Sequence, residues 1–259
     1  MPHGDALRPF ALEDVAELID RLGDLSDLDD IVLVGGQALA FWAALVADRE
    51  PVAARAIGAT VDVDFQAPMH RVREVAARLG GEARLPSIDE VTPSTGIVRF
   101  VDAHGHPRVL DFIECPFGLT ADDVRETSVA VSFPRHGARF WVMHPERCLR
   151  SRVCNLDLPT KRGSLAIEQL RAAVAVVHGY GRLLLDEDRP ERLVRSMNES
   201  VFELAFHDRR ADRALLDHGV DVLEALVDDA RLNSRHREIR LPQMRRLVVD
   251  RRARRADEE

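Results

Sequence analysis

Asp30 to Phe65 reads DIVLVGGQALAFWAALVADREPVAARAIGATVDVDF, and this stretch decides the fold. Ile31 to Val34 is a short, β-branched apolar run that predicts a buried strand. Gly35-Gly36 lets the backbone turn sharply and puts no side chain in the way of a ligand. Gln37 to Ala47 is apolar nearly all round, which predicts a buried helix. The first N–H groups of such a helix have no partner within it, so its start suits an anion such as a phosphate. In the following strand, Thr60 to Phe65, a period of two places Asp62 and Asp64 on one face and Val61, Val63 and Phe65 on the other. An anion cradle followed by paired carboxylates points to a site for a metal-bound nucleoside triphosphate.

Further along, Gly96 to Val101 and Arg108 to Ile113 predict two strands joined by the turn Asp102 to Pro107. In the second of them Val109, Asp111 and Ile113 share a face, and an acid on an apolar strand needs a partner. Asp111 is the natural third carboxylate beside Asp62 and Asp64. Residues two apart on a strand stand about 6.5 Å apart, close enough for both acids to share ions. Three clustered carboxylates raise one another's pKa unless a cation neutralises them. Hard oxygen ligands of this kind select Mg²⁺ or Mn²⁺. Taken alone, D-x-D reads more readily as a solvent-facing strand, with Asp111 held by an arginine. The Gly-Gly turn and helix in front, and the strand acid behind, favour the metal site.

At 259 residues and nearly half hydrophobic, the chain can bury one large core or two modest ones. No apolar run is long enough to span a membrane, and MPHGDALRPF has no apolar signal core, so a cytoplasmic protein without a membrane partner is expected. Cys115, Cys148 and Cys154 cannot all pair, which fits a reducing compartment. A net charge of -8 argues against a protein that coats nucleic acid broadly, while leaving room for a local basic patch. Of 36 basic residues only Lys161 is lysine. An exposed cation tolerates exchange to arginine, whereas a phosphate contact needing a compact charge resists it. Lys161 is therefore a lead toward a phosphate, with chance survival as the other explanation.

Gly35-Gly36-Gln37 before a helix, Asp62-x-Asp64, and Asp111 on a later strand together resemble the nucleotidyltransferase superfamily of the DNA polymerase β type. The nearer likeness is to its AbiEii/AbiGii-toxin-like branch. It continues through His144-Pro145-Glu-Arg-Cys-Leu149-Arg-Ser-Arg152-Val-Cys-Asn155-Leu to Lys161 and a long helix, covering Ile31 to Leu185. Gln37 stands where many relatives have serine, and the gap from Gly36 to Asp62 is longer than in minimal members. The resemblance implies an α+β fold, with a small mixed β-sheet core and flanking helices followed by a helical C-terminal domain. It also implies transfer of a nucleoside monophosphate from an NTP with loss of pyrophosphate, using two Mg²⁺ or Mn²⁺ ions. Backbone amides at Gly35, Gly36 and Gln37 would hold the β- and γ-phosphates. Asp62 and Asp64 would coordinate both ions, and Asp111 would complete the shell of one and align the attacking hydroxyl. Lys161, with Arg152, would neutralise the triphosphate. The implied acceptor is an RNA (tRNA included) or a protein, and the implied setting is the toxin of a toxin–antitoxin pair with its antitoxin as partner. The alternative is a non-catalytic protein that keeps the fold and engages a protein or RNA partner.

The remaining pattern sets the expected layout. Leu12 to Leu22 and His70 to Leu79 predict amphipathic helices, the second closed by Gly80-Gly81. Arg139 to Met143 predicts a last strand, and His144-Pro145 opens a helix. Ser164 to Leu185 predicts a long helix that Gly179 and Gly181 can bend. Helices follow to Phe206, within Ala211 to Leu232, and from Leu241 to Arg255. The expected division is a nucleotidyltransferase domain over 1–143 and a helical domain over 144–259. Arg245, Arg246, Arg251, Arg252, Arg254 and Arg255 read mainly as a solvated helix face, with RNA phosphates as the functional alternative.

Overall fold

A computed structural model describes residues 10–23, 28–55, 62–87, 89–90, 92–132, 139–159 and 163–256. The elements begin with α1 (Leu12–Leu22), β1 (Val32–Leu33), α2 (Gly35–Leu45), α3 (Pro51–Arg55), β2 (Val63–Gln66) and α4 (Met69–Leu79). Next come β3 (Glu82–Arg84), β4 (Ser94–Val101), β5 (Pro107–Ile113), α5 (Ala121–Thr127), β6 (Val129–Ser132) and β7 (Arg139–Val142). The later described elements are helices: α6 (Pro145–Cys154), α7 (Ser164–Asp186), α8 (Glu191–His207), α9 (Arg209–His218) and α10 (Leu241–Ala256). None of these described helices is long and apolar enough to cross a membrane.

Among the described residues, seven strands form one mixed sheet in the order β3-β4-β5-β2-β1-β7-β6. β2 with β5 and β1 with β7 run parallel, and the other neighbours run antiparallel. The period of two separates the faces as the sequence predicts. Val63, Phe65, Val98, Phe100, Leu110 and Phe112 are buried, while Asp64, Ile97, Val109, Asp111 and Ile113 are half-buried. Helix α4 packs on β4, and α1 packs against α4. Their apolar stripes explain why: Val15, Ala16, Leu18, Ile19 and Leu22 on α1, and Val72, Val75, Ala76 and Leu79 on α4, are all buried. Each large aliphatic among them contributes about 2 kcal/mol of transfer free energy. Gly80 ends α4 in the left-handed region, φ 64°, which a Cβ would strain.

An arginine sits inside this layer. Arg108 on β5 is only 2% exposed, stacks over the Phe10 ring at 4.4 Å, and pairs with Asp102 at 2.7 Å and Asp14 at 3.3 Å. Burial pushes the Asp102 carboxyl up. The backbone N–H of His106, the Arg108 guanidinium and the backbone N–H of His104 outweigh that and hold it well below the usual carboxylate range. A depressed carboxylate stabilises the fold above its unfolded pKa of about 3.9 and loses that contribution as pH falls below it. Asp102→Asn is therefore expected to cost about 2 kcal/mol at pH 7 in urea denaturation. The gap from the parent chain should shrink below pH 4, and a gap that stays constant with pH would contradict the assignment.

The chain divides into two compact units, Met1–Phe41 with Gly58–Cys148, and Trp42–Ile57 with Leu149–Glu259. The sequence division at 143/144 thus lies near one crossing, but it misses that Trp42 to Ile57 belongs with the C-terminal helices. The reason is packing at α7. A Cβ on Gly179 would come within 3.0 Å of the Val46 Cβ and 2.8 Å of the Glu50 Cγ, and one on Gly181 within 2.6 Å of a Val227 methyl. The Trp42 and Tyr180 rings lie 5.0 Å apart, and the His178 Nδ1 lies 2.6 Å from Glu50. Both glycines lie inside one unbroken helix and serve close approach. The α3 turn within this stretch, and the α5–β6 segment, have no counterpart in the sequence reading.

The arginine-rich end is partly internal. Asp212 on α9 accepts from Arg251, from Arg252 at 3.1 Å and from Arg255 at 2.8 Å, and Arg252 also reaches Asp221 at 2.9 Å. Arg251 is buried and donates to the carbonyls of Ala205, at 2.9 Å, and Phe206. Arg245, Arg246 and Arg254 are exposed.

Candidate active site

The parallel β2–β5 pair aligns Asp64 with Asp111. Aligned residues on neighbouring strands point to the same face, with the strands about 4.8 Å apart. Asp62 precedes β2 by one residue and is exposed. Its negative charge reaches Asp111: burial first, and then Asp62, raise the Asp111 carboxyl above its ordinary value against the opposing Ser94 and Phe112 hydrogen bonds. These are acids in an arrangement whose charged form a cation would stabilise.

Ser94 is a member of the site that the sequence reading missed. Its Oγ lies 3.3 Å from the Asp111 Oδ1 and 3.1 Å from the Phe112 carbonyl. A register shift between Ser94 and Gly96 in the β4–β5 ladder re-aims that side chain, a common use of a bulge. Pro93-Ser94-Thr95-Gly96 at the strand start is the signal that points to such an irregularity. Beside Ser94 lies a cleft of about 360 Å³ whose walls include Arg84, Glu90, Thr92 and Ile97.

On the other flank of β2 stand Gly35 and Gly36, which the sequence reads as a turn before the helix and which form the first residues of α2. The Val34 N–H donates to the Asp64 carbonyl at 2.9 Å, and Gly35 follows with φ 66°. A Cβ at Gly35 would fall 2.0 Å from the Asp64 Oδ2. Only glycine gives both that conformation and that clearance. Ala38 N–H donates to Val34 O at 3.2 Å, so the amides of Gly35, Gly36 and Gln37 precede the first bond of α2. The Gln37 side chain is buried and donates to the Phe10 carbonyl at 3.2 Å, which ties the start of α2 to the residues before α1.

Gly35, Gly36, Gln37, Asp62, Asp64 and Asp111 all belong to the first unit. Arg152 lies on α6 in the second unit, and Lys161 lies outside the described residues. His144 supports α6, where the Glu146 N–H donates to its Nδ1 at 3.4 Å; burial, with Arg147 nearby, pushes its pKa down to about 4 and keeps it neutral at pH 7. Among the described residues no three His, Cys, Asp or Glu side chains stand as a group that would hold a metal ion. The donor set still suits a divalent cation, since Asp64 and Asp111 stand in register on neighbouring parallel strands and carboxylates are hard oxygen ligands. Comparison with protein-family models, with curated proteins and with solved structures finds no match to this chain.

Proposed function

We propose that the protein is a metal-dependent nucleotidyltransferase, moving a nucleoside monophosphate from an NTP to an RNA or protein hydroxyl. The observation that carries this reading is the Asp64–Asp111 register beside Gly35, whose lack of a side chain leaves room for the Asp64 carboxylate. Asp64 and Asp111, with Asp62, are the residues that would hold Mg²⁺ or Mn²⁺. When bound, such an ion neutralises phosphate charge and makes the attacking hydroxyl easier to deprotonate. The amides of Gly35, Gly36 and Gln37, at the start of α2, would hold the phosphates. Ser94 holds the Asp111 carboxylate in orientation. Positioning and electrostatics account for most of the catalysis in this chemistry, so no separate histidine base is needed. The toxin role, with an antitoxin as partner, belongs to the same proposal.

The test is incubation with each of the four NTPs, labelled on the α-phosphate, together with total RNA and protein extract. Label is expected to enter RNA or protein only when Mg²⁺ or Mn²⁺ is present. Label that enters neither pool with any NTP would favour the partner-binding scaffold.

A further inference from the structure

The C-terminal unit contains a second polar site that has no part in the acid cluster. A cavity of about 660 Å³ lies between α8 and the segment leading into α10, with Arg192, Arg195 and Glu199 on one wall and Arg235, His236 and Arg240 on the other. Positions 192, 195 and 199 are spaced three and four apart, so they project from one face of α8. His236–Arg240 forms a single π-helical turn, a distortion often found at functional sites.

The charges in this cavity do not balance. Glu199 engages Arg240 through both oxygens, at 2.9 and 2.5 Å, and Glu191 engages Arg195 at 3.3 Å. Neither Arg192 nor Arg235 has an acidic partner among the described residues. Two positive charges are therefore left over, one on each wall.

The buried histidine adds a donor. Asn198 is held by the Val227 backbone through both ends of its amide, at 3.0 and 2.9 Å, and its Nδ2 lies 3.1 Å from the His236 Nε2. That amide orientation makes Nε2 the acceptor, so the neutral ring carries its proton on Nδ1. His236 is 7% exposed and lines the cavity. The lining includes no Phe, Tyr or Trp on which a base could stack.

We propose that this cavity binds a polyphosphate oxyanion, a ligand carrying two or more linked phosphate groups, held by Arg192, Arg195 and Arg235 with His236 as a neutral donor. Guanidinium forks match phosphate oxygens in pairs, and linked phosphates present charge to both walls at once. A single carboxylate offsets only one of the two surplus charges.

The experiment is isothermal titration of the full chain with inorganic tripolyphosphate in EDTA, which removes any contribution from metal held at the acids. Saturable 1:1 binding is expected. Arg192→Ala and Arg235→Ala should each weaken it at least about tenfold, as loss of a charge-assisted hydrogen bond does. Both side chains are exposed, so melting temperatures should not move. Arg209→Ala, exposed on α9, should change affinity by less than about twofold, because distant surface charges are screened. Absence of tripolyphosphate binding, equal binding of citrate, equal weakening by Arg209→Ala, or binding of a short RNA in its place would each overturn the proposal. Because the acids take no part, loss of nucleotidyl transfer in Asp64 variants leaves this result independent.

Discussion

Asp64→Asn is expected to reduce metal-dependent transfer of labelled nucleotide by about 100- to 1,000-fold, the usual cost of removing one well-placed electrostatic group. The substitution keeps the shape of the side chain and removes the charge that a divalent ion would meet between β2 and β5. Asp64 lies against Gly35 and stands in strand register with Asp111, so it links the two halves of the proposed site. The melting temperature without metal should stay close to that of the parent chain, since Asn keeps the size and shape of the side chain. Transfer that persists undiminished in a folded Asp64→Asn protein would remove the assigned role.

The largest effect on stability is expected in the other unit. Asp212→Ala should cost about 3–5 kcal/mol in urea denaturation, the range found when one partner of a buried ion pair is deleted. Asp212 is the shared acceptor for Arg251, Arg252 and Arg255. The Arg251 side chain is 8% exposed, and burial already pushes its pKa down, so the cation has little water to turn to. Loss of the carboxylate loosens α10 from α9 and leaves three cations facing one another. Arg255→Ala, at 27% side-chain exposure, should cost no more than about 1 kcal/mol. A loss below 1 kcal/mol for Asp212→Ala would show that the cluster contributes little.

The sequence made the local elements legible where one physical signal dominated. The apolar stripe of α1 predicted Leu12–Leu22 to the residue, and the Gly80 cap placed the end of α4. Alternation placed Asp64 opposite Val63 and Phe65, and Asp111 on a half-buried face of β5, whereas the strand expected over 60–65 begins only at Val63, so Asp62 stands just before it and 60–61 lie outside the described residues. That Asp64 meets Asp111 across a parallel pair was not legible, because register between strands separated by α4, β3 and β4 is a tertiary property. Ser94 escaped for the same reason, since its role depends on a bulge in the ladder.

Composition misled where a residue has two uses. Gly179 and Gly181 read as bending points, but their lack of a Cβ lets Val46, Glu50 and Val227 approach α7. The arginine run near the C-terminus read as one solvated face, yet Arg251, Arg252 and Arg255 satisfy acids on and after α9. The Thr120-x-x-Asp123 capping box that begins α5 was available as a signal: Asp123 N–H donates to the Thr120 hydroxyl at 3.1 Å, and Thr120 N–H to the Asp123 carboxylate at 3.2 Å.

Thermal unfolding with each NTP, with Mg²⁺, and with both together tests the central claim most directly. A ligand bound only by the folded chain stabilises it by about 2.7 kcal/mol at a hundredfold excess over its Kd. The account predicts a clear rise in melting temperature for at least one NTP when Mg²⁺ accompanies it, a much smaller rise with either alone, and loss of that coupling in Asp64→Asn. The same rise with and without the cation, or no rise with any of the four nucleotides, would contradict it.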